Sequence, residues 1–395
     1  MSLPDLLLPL AVATLATALV LTLDLVRGLR SLPRLGDAPD TPVDGTSARG
    51  DDGFPPVSVV VAARDEAPQI AAAVLSVLDQ DYPGLEVVAV DDRSTDGTGE
   101  ILDRLADLHP RLRVIHVDTL PDGWLGKTHA LQQGADRAGG ELLVFTDADV
   151  MMRPGAVRRA VAVMRREGVD HLAVAPRIRA GTVPATVVVA VFLVVFSAFY
   201  RPWKARSPGR WHIGIGAFNL VRAAAYRRAG GHAAVRLRPD DDVRLGRALK
   251  RAGARQAAAV GTTLLEVEWY PTLGAMARGL RKNAFAAVEY RLSLVAAGSV
   301  LPVLFIFWPV AALFLTAGVV WWLNLGVVVL GLLTMGVTAR GHGLPVWTAP
   351  TYPLGAVLLL GIVWAAAFRA VRRGVVEWRG TEYPLDTLRS VGPTD

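Results

Sequence analysis

The chain of 395 residues contains no cysteine, which excludes disulfide bonds and thiolate chemistry. It also lacks the interleaved basic and aromatic residues typical of nucleic-acid-binding modules, although its net charge at pH 7 is +6. Between Arg291 and Arg340 no Asp, Glu, Lys or Arg occurs at all. With 52% hydrophobic residues, the composition is too apolar for an ordinary soluble enzyme. We therefore expect a membrane protein and no nucleic-acid partner, with the positive charge facing anionic lipid.

The first apolar run covers residues 6–26 and contains one charge, Asp24. It has the length of about 20 residues that a helix needs to cross a bilayer. No basic segment precedes the run and no convincing cleavage site follows it, as a signal peptide would require. Residues 1–30 are therefore predicted to be a transmembrane anchor. Arginines follow the run directly, which predicts that the next part of the chain is cytoplasmic.

Three more apolar runs lie at residues 293–315, 317–338 and 350–368. They predict about three spans within a C-terminal transmembrane region at 292–370, followed by a tail at 371–395. Arginines at the start of the tail favour a cytoplasmic C-terminus, which would leave one of the three runs re-entrant or interfacial.

Another apolar stretch, residues 182–200, interrupts the chain between the anchor and the C-terminal runs. A crossing there would put Asp147 and Asp242 on opposite sides of the membrane. We therefore expect residues 182–211 to be a membrane-associated interfacial segment, with an apolar helix followed by the basic, Trp-containing "RPWKARSPGRW". A buried core helix is the alternative.

Residues 31–56 are rich in Pro, Gly, Asp and Ser and are predicted to be a linker. From residue 57 to residue 291, short apolar strands alternate with amphipathic helices, which predicts an α/β fold with a mostly parallel sheet. Ligands bind at the carboxyl ends of such strands. The acidic pairs Asp91–Asp92 and Asp147/Asp149 both lie at strand ends, although the first could simply begin a turn or cap a helix.

The stretch "LLVFTDADVMM", residues 142–152, ends an apolar strand with two aspartates spaced i, i+2. If the strand continued through both, Asp147 and Asp149 would project to the same side. Paired carboxylates suit Mg²⁺ or Mn²⁺, which takes its remaining ligands from water and phosphate oxygens. Surface acids at this spacing are common, so the pair alone is a weak signal.

Six motifs occur in the order and spacing of family 2 glycosyltransferases with a GT-A fold: "VVVAARDEAPQI", "VVAVDDRSTDGT", "DGWLGKTHALQQG", "FTDADV", "GIGAFNLVRAAAYRRAGGH" and "DDDVRLGRALKRAG". The chain resembles this family over residues 57–290. It is most similar in pattern to the membrane-bound, non-processive members that glycosylate lipids, namely the hopanoid-associated, carotenoid-type and ceramide-type enzymes.

The resemblance implies a role for each matching position. Ala63, Arg64, Glu66 and Asp92 would hold the uridine of the donor, and Lys127 would lie near its nucleotide and phosphates. Asp147 and Asp149 would bind the divalent cation, with Asp149 the more direct ligand. Asp242 matches the general base and Asp241 the acidic residue before it, although three successive aspartates leave this assignment open by one position. For Lys127, an exposed lysine at a helix start is the alternative.

Gly214 and Gly216 are expected to allow close approach of the backbone to a sugar or a neighbouring loop. His212 and His232 on either side are expected to be structural or surface residues, and a place in the lining of the acceptor site is the alternative. In "YPTLGAMARGLRKNAF", Arg278 and Arg281 match the family's Q/R-x-x-R-W element, but Lys282 replaces its tryptophan. This departure argues against processive synthesis and leaves all three as diphosphate or headgroup contacts, or as a basic face beside the membrane. In "AARDE", Asp65 adds a charge that the family does not usually have.

The sequence thus predicts an inverting, metal-dependent enzyme that transfers a hexose from a nucleotide sugar, UDP-linked, to a membrane lipid at the cytoplasmic leaflet of a bacterial-type inner membrane. Alternatives are a polysaccharide synthase of the same family and a non-catalytic scaffold that keeps the nucleotide-sugar pocket. A haloacid-dehalogenase-type phosphotransferase also begins with an Asp-x-Asp strand, but it normally uses the first strand, and Met151 stands where it needs Thr or Val.

Overall fold

The computed structural model describes residues 3–38, 54–378 and 381–390, without the side chains of residues 3–5, 282 and 378. Residues 39–53 of the expected linker therefore lie outside the described part. The strands are β1 Val57–Ala63, β2 Leu85–Asp92, β3 Leu112–Val117, β4 Leu142–Asp147, β5 Val150–Met152, β6 His171–Ala175, β7 Arg177–Ala180, β8 Asn219–Arg222, β9 Gln256–Val260, β10 Leu265–Tyr270, β11 Val375–Trp378 and β12 Thr381–Pro384.

The helices are α1 Leu3–Ser31, α2 Ile70–Leu78, α3 Thr98–Leu108, α4 Gly126–Arg137, α5 Ala156–Arg166, α6 Val183–Tyr200, α7 Ala223–Arg228, α8 Asp241–Arg251, α9 Leu273–Gly279, α10 Arg281–Ala286, α11 Leu292–Pro302, α12 Trp308–Leu315, α13 Gly318–Gly341, α14 Tyr352–Arg373 and α15 Leu385–Ser390. These elements divide between two compact units. The sheet unit comprises Leu32–Ile178 and Pro202–Glu268, and the helical unit comprises Met1–Ser31, Arg179–Arg201 and Trp269–Asp395.

The sheet unit is built on a seven-stranded sheet with the order β3-β2-β1-β4-β8-β6-β9. The pairs β1–β2, β1–β4, β2–β3 and β6–β9 are parallel, and β8 runs antiparallel to both of its neighbours. The expected mostly parallel α/β sheet is therefore confirmed.

Side chains of β1 alternate between two hydrophobic layers, as the pleat of a strand requires. Val59 and Val61 are buried in the cluster that includes Val74 of α2, whereas Val60 belongs to the cluster that includes Leu131 of α4. Helices therefore cover both faces of the sheet, which explains why the central strands are almost continuously apolar.

The strand order reverses at β1, because β2 and β3 lie on one side of it and β4 lies on the other. Ala63 at the end of β1 is in register with Asp91, and Ala62 is in register with Asp147. In an open α/β sheet this reversal creates a crevice at the carboxyl ends of the strands. Both acidic strand ends expected from the sequence meet there.

The helical unit contains five segments that are long and apolar enough to cross a membrane: Leu6–Ser31, Val183–Lys204, Leu292–Leu315, Gly318–Gly341 and Val346–Arg373. The four apolar runs expected to span are all among them, and the segment expected to be interfacial also meets the criteria of length and composition. Large apolar side chains such as Phe314, at 84%, and Phe368, at 66%, remain exposed, as lipid-facing side chains would be.

The long helices contact one another through small residues and through a hydrogen bond between hydroxyl groups. Thr22 of α1 and Thr334 of α13 share a hydrogen bond of 3.0 Å between their side-chain oxygens. Gly355 of α14 faces Val187 and Val191 of α6 so closely that a β-carbon there would meet both. Close packing at small residues is the usual way in which helices associate within a membrane.

Candidate active site

A cavity in the sheet unit lies beside the end of β4 and the start of α8. Its polar lining consists of Lys127, Thr146, Asp147, Gly216, Asn219, His232, Asp241 and Asp242. Five of the residues singled out from the sequence, Lys127, Asp147, Gly216, Asp241 and Asp242, are thus brought together.

Lys127 lies in the first turn of α4, where the positive end of the helix dipole disfavours a cation. Its ammonium nitrogen lies 2.7 Å from Asp147 Oδ1 and 3.5 Å from Asp241 Oδ1. Burial by itself would lower the pKa of Lys127, but the charges of Asp147, Asp241 and Asp242 outweigh burial and raise this pKa. Lys127 is therefore the cationic centre of an acidic cluster and not an exposed helix-start lysine.

Asp147 and Asp149 do not lie on one continuous strand. β4 ends at Asp147, and Asp149 occupies a two-residue turn before β5, so the expectation that strand alternation orients both carboxylates is wrong. Burial raises the pKa of Asp149 to about 7, and the nearby charges of Asp147 and Glu66 add to the rise. Asp149 Oδ1 is buried and has no hydrogen-bond partner within the described residues. A turn, and not the pleat, places the two carboxylates near each other.

Asp242 is held by two backbone N–H groups. Gly216 N donates to Asp242 Oδ2 over 2.7 Å, and Val243 N donates to Asp242 Oδ1 over 2.8 Å. Burial raises the pKa of Asp242 to about 7, with the charge of Asp241 as the next contribution. A carboxylate with this pKa exists in both protonation states near neutral pH, which suits a group that exchanges a proton.

The three successive aspartates have different partners. Asp240 accepts hydrogen bonds from Arg238 Nε at 3.2 Å and from Arg244 Nε at 2.7 Å. Asp241 is buried and lies beside Lys127, whereas Asp242 faces the glycine-rich segment. Asp240 is therefore committed to ion pairs, and the other two acids face the cavity.

Asp92, at the end of β2, is bound by arginines. Arg93 Nε lies 2.8 Å from Asp92 Oδ1, and Arg64 Nη1 lies 3.8 Å from Asp92 Oδ2. Gly126 approaches this carboxylate so closely that a β-carbon there would collide with it. Arg64 and Asp92, both expected in the nucleotide pocket, are thus in contact, while Ala63 lies in the neighbouring strand.

Asp65, the unexpected charge, links the loops that follow β1 and β2. Its backbone has a positive φ of 52°. Its N–H donates to Ser94 Oγ at 3.0 Å, and its Oδ1 accepts from Thr95 N at 2.8 Å. Next to it, Glu66 N donates to Thr98 Oγ1 at 2.8 Å. Two cross-linked loops therefore frame the crevice beyond the ends of β1 and β2.

Asn219 and His171 were not predicted to belong to the site. Asn219 Oδ1 accepts from Ile215 N at 3.1 Å and lies 3.2 Å from His171 Nε2, so these residues fix the segment that contains Gly216. His232 also lines the cavity, and its Nδ1 lies 2.8 Å from Tyr226 Oη. Burial lowers the pKa of His232 to about 3, with Lys127 adding to the effect, so this imidazole is neutral. The sequence feature that could have identified Asn219 is its polar amide at the start of the apolar strand β8.

Arg278 and Arg281 belong to the helical unit, on α9 and α10, and both side chains are exposed. The side chain of Lys282 lies outside the described part of the structure. The contacts expected of these three residues with diphosphate or headgroup stay predictions.

Residues 58–229 match the family model for Glycosyl transferase family 2. The matched residues make up less than half of the chain, and this part of it is similar to family 2 glycosyltransferases. The matched region contains Asp92, Lys127, Asp147 and Asp149, and the acids of α8 follow it in the sequence.

Two curated relatives are similar to part of the chain. A stretch of 110 residues is 36% identical to Beta-monoglucosyldiacylglycerol synthase of Synechocystis sp., covering 27% of this chain and 22% of that protein. A stretch of 113 residues is 31% identical to 4,4'-diaponeurosporenoate glycosyltransferase of Staphylococcus aureus, covering 28% of this chain and 29% of that protein. The chain thus matches less than a third of the length of either relative.

The fold of this chain is similar, over most of its length, to that of a solved glycosyltransferase structure. The mannosyltransferase from Pyrobaculum calidifontis in complex with GDP-Man and Mn²⁺ has a TM-score of 0.51 and 21% identity, over 92% of this chain and 99% of that one. This likeness confirms the expected fold class, an α/β GT-A domain in a chain with N-terminal and C-terminal apolar helices.

The acids at the end of β4 fit a divalent cation that shares its coordination with substrate. In the described residues, no group of three or more His, Cys, Asp or Glu side chains is placed to hold a metal ion. Mg²⁺ and Mn²⁺, however, are commonly bound by one or two carboxylates, with phosphate oxygens and water as the other ligands. The unpartnered, buried Oδ1 of Asp149 and the neighbouring Asp147 supply such a pair.

Proposed function

We propose that the protein is an inverting, metal-dependent membrane glycosyltransferase that transfers a hexose from a nucleotide sugar, UDP-linked, to a hydroxyl or carboxyl group of a membrane lipid at the cytoplasmic leaflet. The observation that supports it most is the convergence of Lys127 with Asp147, Asp241 and Asp242 at the carboxyl edge of the sheet. A non-catalytic scaffold would have no need to keep this costly group of buried charges.

The nucleoside would bind beside Asp92, Arg64 and the loop through Glu66. A carboxylate has about four lone-pair sites, so that Asp92 can accept hydrogen bonds from uracil or ribose while Arg93 and Arg64 orient it. Gly126 lies so close to this carboxylate that no side chain would fit between them.

The donor diphosphate would face Asp147, Asp149 and Lys127. A divalent cation bound by Asp147 and Asp149 would supply Lewis-acid stabilisation of the departing diphosphate. Lys127 adds a fixed positive charge at the same place, where negative charge develops as the glycosidic bond breaks.

Asp242 would act as the base. Its two backbone hydrogen bonds orient the carboxylate, and its pKa of about 7 leaves it able to accept the acceptor's proton near neutral pH. The acceptor oxygen then attacks the anomeric carbon from the face opposite the diphosphate. One displacement by one base inverts the configuration. Asp241 forms an ion pair with Lys127, and its negative charge raises the pKa of Asp242.

The acceptor would reach the site from the membrane. Asp147 and Asp241 both contact Lys127, so they lie on one side of any bilayer, and a single crossing by α6 would separate them. The chain also leaves the sheet unit before α6 and rejoins it directly afterwards. These facts support the interfacial position of residues 182–211, where Lys204 and Arg210 lie over the ring of Trp211. The names of both relatives, which denote glycosylation of a diacylglycerol and of a diaponeurosporenoate, support a lipid acceptor.

Membranes containing the protein should be incubated with a panel of radiolabelled UDP-sugars, and the extracted lipids analysed for label. We expect labelled lipid that depends on Mg²⁺ or Mn²⁺ and that falls by about 10²–10⁴-fold in Asp242→Asn. Asp107→Asn, the same substitution on the exposed face of α3, is the matched control and should keep full activity. Full activity of Asp242→Asn would reject the assigned base, and an unlabelled lipid fraction with every sugar would reject the proposed function.

A further inference from the structure

Lys127 occupies one of the two carboxylates that a divalent cation would use. Its ammonium nitrogen is 2.7 Å from Asp147 Oδ1, a full charge-assisted hydrogen bond, and 3.5 Å from Asp241 Oδ1. The two carboxylates of the pair thus differ, because Asp149 Oδ1 has no hydrogen-bond partner within the described residues. One metal ligand is available, and the other is already neutralised.

A cation that takes Asp147 as a ligand must displace this ammonium or stay close to it. A monovalent and a divalent cation a few ångströms apart in a partly buried site repel each other more strongly than they would in water. After displacement, Lys127 would lose its shortest ion pair and would keep the longer contact with Asp241 and the charge of Asp242. Both routes weaken binding of a metal by itself.

A nucleoside diphosphate changes this balance. It brings oxygens that can ligate the cation, and it also offers the ammonium of Lys127 a new anionic partner. We propose that Lys127 and the divalent cation compete for Asp147, so that Lys127 keeps metal affinity low until the donor diphosphate draws the ammonium away. The proposal rests on the proposed function, in which the site binds a cation and a donor diphosphate. It adds that these two ligands bind cooperatively.

Competition of this kind makes the two ligands cooperative. If UDP raises the affinity for Mn²⁺ by some factor, Mn²⁺ must raise the affinity for UDP by the same factor. Direct ligation of the cation by phosphate contributes to that factor in any variant. The part that comes from Lys127 is lost when the ammonium is removed.

The test measures Mn²⁺ binding to the full chain in lipid nanodiscs from the electron paramagnetic resonance signal of free Mn²⁺, with and without UDP. We expect Lys127→Met to bind Mn²⁺ alone about tenfold or more tightly than the natural protein, and UDP to enhance its Mn²⁺ affinity by a smaller factor. Lys127→Gln should change in the same direction. Lys127→Arg keeps the charge and should keep the weak binding.

Arg104→Gln, which removes one positive charge from the exposed face of α3, is the matched control and should leave Mn²⁺ affinity unchanged. Unchanged Mn²⁺ affinity in both Lys127→Met and Lys127→Gln, with melting curves that show folded protein, would overturn the competition. It would leave the proposed function intact as long as Asp149→Asn abolishes Mn²⁺ binding in the presence of UDP. If Asp149→Asn had no effect on that binding, the metal site of the proposed function would fail instead.

Discussion

The backbone N–H of Gly216 donates a hydrogen bond of 2.7 Å to Asp242 Oδ2, which ties the glycine-rich segment to the first turn of α8. The two elements pack backbone against backbone: a β-carbon on Gly214 would collide with the carbonyl of Asp242, and one on Gly246 would collide with the carbonyl of Ile213. Because side chains are absent at these contacts, the orientation of the Asp242 carboxylate is set by main-chain packing.

Gly216→Ala should reduce transfer without unfolding the protein. A β-carbon on Gly216 would lie 2.8 Å from Asp147 Oδ2, so that the Asp147 carboxylate must move, and it would be in ordinary contact with Asp242 Oδ2 at 3.5 Å. A misplacement of about 1 Å can cost about 10²-fold in rate. The measurement is kcat for lipid glycosylation beside the melting temperature. Gly139→Ala, whose β-carbon would meet Glu86 Oε1 at an ordinary 3.5 Å, should remain fully active. Equal activity of the two variants would contradict this reading of the contact.

The rate of transfer should rise as the pH increases through about 7, because Asp242 must be ionised to accept a proton and burial raises its pKa to about 7. Below this pKa, kcat/KM should fall about tenfold per pH unit. In Asp241→Asn the neighbouring charge that raises the pKa is gone, and the midpoint should move to lower pH. A profile that stays flat from about pH 5 to about pH 8 would show that the rate does not depend on this carboxylate.

Asp149→Asn should raise the melting temperature at alkaline pH in the presence of EDTA. The pKa of Asp149 is about 7 in the folded protein and 3.8 without burial, so the folded state holds the proton more tightly. Stability from this residue is therefore fully present below about pH 4 and is lost as the pH rises through about 7. The asparagine variant does not lose it, and its advantage should grow from pH 5 to pH 8. An advantage that is the same at both pH values would refute a titrating origin.

The lipid product should carry one hexose. Lys282 stands where processive members of the family have a tryptophan against the growing glycan, so that the chain lacks that platform. Mass spectra of the extracted lipid, taken after long incubation with excess donor, should show a single added sugar. A ladder of products with two or more sugars would favour the polysaccharide synthase.

The order of strands and helices in the sheet unit could be predicted because each central strand is a short apolar run bounded by turn residues. β1 and β2 begin and end at the residues expected from "VSVVVAA" and "LEVVAVDD". The parallel arrangement followed from the alternation with helices, and the acidic strand ends followed from the termini of those runs. The antiparallel strand β8 was not predicted, because it is only four residues long and follows a glycine-rich segment that is not typical of a strand.

The site was predictable in its residue types and not in its contacts. Asp147 and Lys127 could be named from motifs, but their ion pair depends on the path of two strand-to-helix connections. The turn at Asp149 was missed because its residues continue an apparently regular strand. Asp65 proved to be a connector between two loops, since its left-handed backbone turns the carboxylate toward Thr95.

Hydrophobic periodicity and local motifs depend on neighbouring residues, so the sequence was enough to predict long apolar helices and a separate α/β unit in one chain. The three-dimensional fold was needed to show which of three successive aspartates binds arginines, which contacts Lys127 and which accepts the N–H of Gly216. Arg238 and Arg244 are close to Asp240 in sequence, whereas Lys127 and Gly216 are distant along the chain from the acids that they contact. Burial in the site also raises the carboxyl pKa values toward neutrality, an effect that depends on the surrounding atoms and not on the residue itself.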